Sequence, residues 1–369
     1  MEASLPDDAG AWLTLNRVPG LGSRTLCQLL DRCPDPEALL AAPPARLREL
    51  GVPDRLRRAL RQADRAAALT DLAWLEAPAR GLLTLACSDY PPALLASPDP
   101  PPLLFLQGVR DVLAAPAVAV VGSRNPTASG TALARRLAGG LAEAGYAVVS
   151  GLAAGIDGAA HRGALDAGGP TLAVVGNGLD RVYPRAHRAL AGEVAASGLQ
   201  LSEHAPGTPP ARHHFPRRNR IIAGLVAGVL VVEAAPRSGS LITARLAAEA
   251  GRDVFAVPGS VLNPLARGCH ALLREGARLV EGLDDLLEEL PPVRPGAALP
   301  APSSTQPVVD DPRDRALLRE LRAGPASVDA LVAATALGAG EVTARLLALE
   351  LGGHVSSEPG GRFCLLPGA

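Results

Sequence analysis

The chain contains no lysine: all 36 of its Lys-or-Arg residues are arginines, set against 37 acids for a formal net charge of -1 over 369 residues. That removes the phosphate loop that closes on a Lys, and any chemistry run through a lysine Schiff base. A polyanionic partner would have to be met by a local patch, because no global basic field exists. Aromatics make up only 2% of the residues, which excludes a long ladder of base-stacking platforms. The five cysteines, Cys27, Cys33, Cys87, Cys269 and Cys364, are odd in number and never in C-x-x-C spacing. Neither a disulfide framework nor a zinc knuckle is expected, and a reducing cytoplasm fits best. The start, MEASLPDDAG, is acidic and lacks the apolar stretch of a secretory signal. No apolar run approaches ~20 residues without Gly or charge, so no membrane span is expected. What is present, 48% hydrophobic residues with 20% charged, supports a folded core spread over two or three domains.

Four segments differ in texture. Residues 1–76 are short amphipathic stretches broken by Pro and Gly and read as a small helical domain. Residues 77–116 are dense in proline (Pro91, Pro92, Pro98, Pro100, Pro101, Pro102) and read as an ordered but irregular connector. Residues 117–290 alternate buried-strand runs (AVAVVG, AVVSG, TLAVVG, LQLS, GVLVVEA, DVFAVPG) with helical stretches. Continuous apolar strands alternating with helices predict a Rossmann-like, mostly parallel α/β sheet covered on both faces. Residues 291–312 carry too much Pro, Ala and Ser to pack and form a linker. The tail, 313–369, predicts helix, helix, helix and a hairpin turning at Pro359-Gly360-Gly361, the pattern of a winged helix.

Three segments carry recognisable binding chemistry. In AVAVVGSRNPTASG a strand ends at Gly122 and a helix follows, so Gly122, Ser123 and Arg124 sit where backbone N–H groups and a helix dipole attract phosphate. The pattern is not G-x-G-x-x-G, which argues against a nicotinamide dinucleotide. In EAAPRSGSLITA, Ser238, Gly239 and Ser240 open a second helix directly after a strand. The third segment, TPPARHHFPRRNRIIAG, has no carboxylate between Glu203 and Glu233 yet holds Arg212, Arg217, Arg218 and Arg220, with Phe215 and Asn219 among them. Arginine grips phosphate bidentately, Phe stacks and Asn reads base edges. Pro209, Pro210 and Pro216 are expected to hold this segment as a loop.

Other features are weaker. Asp157 and His161 are spaced i, i+4 and read more simply as a helix pair than as a base and its orienter. No His, Cys or carboxylate set has metal-ligand spacing, and no cofactor or metal is expected. RVPGLGSRTLCQLL has a helix–hairpin–helix turn, echoed in ELGVPDRLRRAL. Residues 46–65 there hold seven arginines against three acids. The tail from Asp310 to Ala369 carries eight acids and six arginines, too little cation for a duplex reader.

VGSRNPT, VSGLAAGIDGAAHRGAL, VVGNGLDRVYPRAH, LSEHAPGTPPARHHFPRRNRIIAGL, VVEAAPRSGSLITA and GRDVFAVPG occur in the order and spacing of the DNA-processing protein A (DprA, or Smf) family, which residues 85–280 resemble. The resemblance implies a non-enzymatic single-stranded-DNA-binding protein of natural transformation. Such a protein shields incoming strands, forms homodimers and loads the RecA recombinase, including onto strands coated by single-strand-binding protein. It also implies that Gly122, Ser123, Arg124, Phe215, Arg218, Asn219, Arg220 and the Ser238–Ser240 turn line the DNA pocket. Arg212 stands where relatives often carry Lys. A nucleotide-processing phosphoribohydrolase on the same fold is the alternative, but its P-G-G-x-G-T loop is replaced here by R-S-G-S. A duplex-reading regulator is disfavoured by the acidic tail.

Overall fold

The structure, a computed structural model, describes residues 5–293, 311–322, 324–335, 337–351, 354–358 and 361–365. The first 76 residues fold as helices α1 (Ala9–Asn16), α2 (Ser23–Arg32), α3 (Pro36–Ala41), α4 (Pro44–Glu49), α5 (Asp54–Arg61) and α6 (Arg65–Leu75). Local chemistry fixes their starts: Asp35 accepts the amide of Glu37 ahead of α3, and Asp64 accepts that of Ala67 in α6.

The segment read as an irregular connector instead supplies two strands, β1 (Arg80–Thr84) and β2 (Leu103–Gly108), around the short helix α7 (Pro92–Leu95). The following strands are β3 (Ala117–Gly122), β4 (Ala147–Ser150), β5 (Thr171–Val174), β6 (Leu199–Ser202), β7 (Gly228–Val232), β8 (Asp253–Ala256) and β9 (Arg278–Leu279). Among the described residues these form one nine-stranded sheet in the order β1-β2-β6-β5-β4-β3-β7-β8-β9. From β6 to β9 the pairing is parallel, while β2 runs antiparallel to β6 and β1 to β2. The expected mostly parallel sheet is therefore present, with an antiparallel edge.

Period-2 alternation explains why both faces are covered. Val118 and Val120 of β3 pack with α8 (Ala128–Glu143) and α9 (Ile156–Asp166), through Leu137, Leu141 and Ile156. On the same face, towards β2, α10 (Arg188–Ser197) and the N-terminal helices share one core through Trp12, Phe105 and Val194. Ala119 and Val121 face the other side, against α11 (His214–Leu225), α12 (Ser240–Glu249) and α13 (Arg267–Arg274). The chain builds outward from β3 to β6, then returns across β3 to place β7. The carboxyl ends of β3 and β7 therefore flank the point where strand order reverses, the usual ligand position of such sheets. The short α14 (Asp284–Leu287) closes this part.

Of the predicted linker, residues 294–310 lie outside the described residues. Beyond it stand α15 (Pro312–Leu321), α16 (Val328–Thr335) and α17 (Ala339–Leu351). With them goes a small sheet of β10 (Ala326–Ser327), β11 (Val355–Glu358) and β12 (Arg362–Leu365), in the order β10-β12-β11. This is the expected winged helix, built on Leu317, Leu331, Val342 and Leu346; Pro359 and Gly360 of its turn lie outside the described residues. Among the described residues no single helix is long and apolar enough to cross a membrane.

Candidate nucleic-acid interface

The site is a rim made by the carboxyl ends of β3, β4, β5 and β7. At the end of β3 the backbones are so close that a Cβ on Gly122 would sit 1.9 Å from the carbonyl oxygen of Val232. Ser123 is buried; its amide donates to Glu233 O and its hydroxyl accepts from the amide of Asn125. This pins the turn and throws Arg124 outward. The exposed Arg124 guanidinium lies 5.4 Å from the centre of the Phe215 ring, a cation–π arrangement. Phe215 is half-buried over Gly176, just past the end of β5, and its other neighbour is the exposed ring of Tyr183, 5.6 Å away. Tyr183 did not stand out in the sequence as a binding residue. The available signal was a Tyr closing a glycine loop directly after a strand.

The basic segment is not the expected loop. From His214 it is helix α11, with Pro216 in its first turn, where a missing N–H costs nothing. The helical repeat then separates neighbours that the sequence had grouped. Arg212 and Arg217 face solvent. Arg218 turns inward, only 4% exposed, and donates to the carbonyl of Val174 beneath the end of β5. Gly151 lets it through, since a Cβ there would lie 1.8 Å from its Nη1. Asp157, buried nearby, accepts the amides of Gly151 and Ala153 and so holds the β4 turn. Burial pulls the Arg218 pKa down to about 10, opposed by Asp157; burial also pushes Asp157 upward, opposed by Arg218. Asn219 is buried too, its amide donating to Gly239 O at 3.3 Å.

Arg220 is equally engaged. It pairs with Glu203 at 2.6 Å and with Asp99 at 3.0 Å, and it donates to Asp99 O and Ser23 Oγ. Arg217 shares Glu203 at 3.0 Å and Ser23 Oγ at 2.9 Å, yet keeps an exposed flank. Burial raises the Glu203 pKa, with Arg220 and then Arg217 pulling it back. The two glutamates that bound the carboxylate-free segment in sequence thus fold back to the rim.

Glu233 changes the reading of the first phosphate turn. Its carboxylate accepts from the Thr127 amide at 2.8 Å and hydroxyl at 2.6 Å, and Thr127 Oγ1 caps the amide of Gly130. A Cβ on Gly130 would lie 2.5 Å from the Glu233 carboxyl carbon. The N-terminus of α8, expected to attract phosphate, therefore already holds the chain's own carboxylate. What remains at this turn for an external anion is Arg124. At the second turn Ser238 and Ser240 hydroxyls bond each other at 2.7 Å, and exposed Gly239 leads into α12. Asp157 and His161 are both core residues of α9, with His161 Nδ1 bonded to Thr171 Oγ1 at 2.8 Å. In the winged helix, Arg345 is held by Asp311, Asp314 and Glu341.

The molecule is thus a doubly wound α/β protein whose switch-point rim joins exposed arginines to an aromatic pair, flanked by helical and winged-helix parts. Residues 81–291 match the family described as DNA recombination-mediator protein A, and residues 299–361 match the DprA winged helix domain. The chain belongs to the DNA-processing protein A (DprA/Smf) family. It is 42% identical to Protein Smf of Escherichia coli over 299 residues, covering 79% of each chain. It is 52% identical to DNA processing protein DprA of Streptococcus pneumoniae over 200 residues, 54% of this chain and 71% of that one. The X-ray structure of the Streptococcus pneumoniae protein matches with a TM-score of 0.69 at 39% identity, covering 79% of this chain and 99% of that one. DNA processing protein A from Helicobacter pylori, whose structure is described by its single-stranded DNA binding mode, matches with a TM-score of 0.52 at 31% identity, over 56% and 94% of the chains.

Proposed function

We propose that this chain is a single-stranded-DNA-binding protein of natural transformation that holds an unpaired strand along the strand-end rim. The observation that carries this reading is the cluster of exposed Arg124 and Tyr183 around half-buried Phe215 at the carboxyl edge of the parallel strands. A ring beside a guanidinium takes one base by stacking and its phosphate by charge, which suits splayed single strands better than a closed duplex. Arg124, Arg212 and Arg217 supply the direct cationic contacts, with Gly239 and the Ser238 hydroxyl on the opposite turn. Gly122, Ser123, Arg218, Asn219, Arg220 and Ser240 hold that surface from below. Protection of incoming strands, loading of RecA, contact with single-strand-binding protein and homodimer formation are part of the same proposal, supported by the family resemblance alone. The role is binding without chemistry: R-S-G-S stands where a phosphoribohydrolase has P-G-G-x-G-T, Asp157 is buried and Glu233 is committed to Thr127.

Titration of the full chain against oligo-dT and against duplex tests this. The single strand should bind more tightly. Arg124→Ala and Arg212→Ala should each weaken it at least about tenfold and reduce the log–log salt slope by about 0.7. Phe215→Ala should cost ~1–3 kcal/mol with little change in slope. Unchanged binding in all three variants would end the assignment of this rim, and release of a free base from a nucleoside monophosphate would restore the enzymatic alternative.

A further inference from the structure

Away from the rim, an arginine-rich surface lies on the N-terminal helices. Between Arg46 and Arg65, α4, the Leu50–Pro53 turn, α5 and the start of α6 carry seven arginines and three acids. All three acids are already engaged. Glu49 pairs with Arg46 at 3.1 Å, Asp54 pairs with Arg57, and Asp64 caps α6 through the amide of Ala67. Arg48, Arg55, Arg58, Arg61 and Arg65 are left exposed, with no ion pair or side-chain hydrogen bond among the described residues.

Their arrangement on α5 is regular. Arg55, Arg58 and Arg61 recur every three residues along one flank, while Leu56 and Leu60 of the same helix are buried in the core. Arg61 and Arg65 also border a depression of about 340 Å³ against Leu40–Pro44. Like charges at helical spacing repel and destabilise the isolated fold. Several arginines elsewhere are neutralised by a carboxylate, as Arg17 with Asp71, Arg110 with Asp89 and Arg162 with Glu193, whereas among the described residues these five are not.

We propose that the α4–α5 face is a second contact for a nucleic-acid backbone, separate from the rim. Its ligand is the phosphodiester chain and not the bases, because residues 44–65 contain no aromatic side chain to stack on them. The face is joined to the rim through α2. Ser23 at the start of that helix touches Arg217 and Arg220, and Arg32 at its end donates to Leu50 O in the α4–α5 turn. The ten residues of α2, about 15 Å along the helix axis, lie between the Ser23 and Arg32 bonds. A very short oligonucleotide fills the rim alone, and only a longer polymer reaches both. The inference rests on the rim reading for the identity of the polymer.

The test combines Arg55→Ala, Arg58→Ala and Arg61→Ala in the full chain, with a thermal melt to establish folding. Probes are oligo-dT of about 6 and about 30 nucleotides and a duplex of similar length, at several salt concentrations. The short probe should bind as to the unaltered chain. Binding of the long single strand, the duplex or both should weaken at least about tenfold, with a log–log salt slope lower by about 2. Loss confined to the long single strand makes the face an extension of the rim; loss on duplex makes it a duplex contact. Equal affinity and slope on both long probes overturn the proposal. If the triple variant fails to fold, Arg48→Ala with Arg65→Ala, on neighbouring elements, gives the same readout with a slope change of about 1.4. Failure of the rim reading looks different: Arg124→Ala then leaves the short probe unaffected.

Discussion

Arg217 and Arg218 are adjacent in sequence and identical in type, yet one faces solvent and the other lies under two strand ends. Arg218 is part of the platform: its guanidinium fills the space over Gly151 and bonds Val174 O, in the field of Asp157. Arg218→Met should therefore cost stability on the order of 3 kcal/mol, because Asp157 loses its nearest compensating charge and stays buried. Chemical denaturation reads that loss. The same variant, measured where it is folded, should keep the salt slope of single-strand binding, in contrast to Arg124→Ala. A stable Arg218→Met protein with a flattened slope would return this residue to the set that touches phosphate. The sequence made the composition of the basic segment plain. It did not show direction, because helical periodicity depends on where α11 begins, and Pro216 marks a first turn as readily as a loop.

At the scale of elements, the parallel strands were legible because continuous Val, Ala and Leu runs bounded by Gly have few other uses. β1 and β2 were not, since prolines between and beside them break the local pattern while tertiary pairing with β6 supplies the order. The strand-end turns were legible as glycine turns, but their anion capacity was overstated at α8. Glu233 lies far along the chain from Thr127, and only the β3–β7 pairing brings them together. That pairing also makes Gly122 sensitive. Gly122→Ala should lower stability by ~2–3 kcal/mol or more, since the added methyl meets the backbone oxygen of Val232, which has no rotamer to escape into. A denaturation midpoint within error of the parent would show that β3 and β7 can part at this point without cost.

Across the whole molecule the buried imidazoles set an acid limit. Burial pulls both His161 and His204 down to about 3, His204 with added repulsion from His214, so each is neutral in the folded chain while the unfolded chain protonates near 6.5. A folded pKa below the unfolded one means stability is full above about 6.5 and falls as pH drops towards 3. Asp157 and Glu203, with pKa values raised by burial, act in the opposite sense, gaining relative stability as pH falls. The histidine contribution is isolated by difference. His161→Gln should lose less stability than the parent between pH 7.5 and pH 5, by on the order of 2 kcal/mol. Parallel melting curves for the two proteins across that range would show that His161 takes up its proton without unfolding.

The sequence by itself determined the fold class, the winged-helix tail, the six motif blocks and the residue types gathered for a phosphate chain, because these depend on local periodicity and turn chemistry. Tertiary structure decided which arginines reach solvent, which carboxylates return to restrain them, and that Tyr183 stands beside Phe215. Those outcomes depend on strand order and close backbone approach between segments distant in the chain, which no local pattern records.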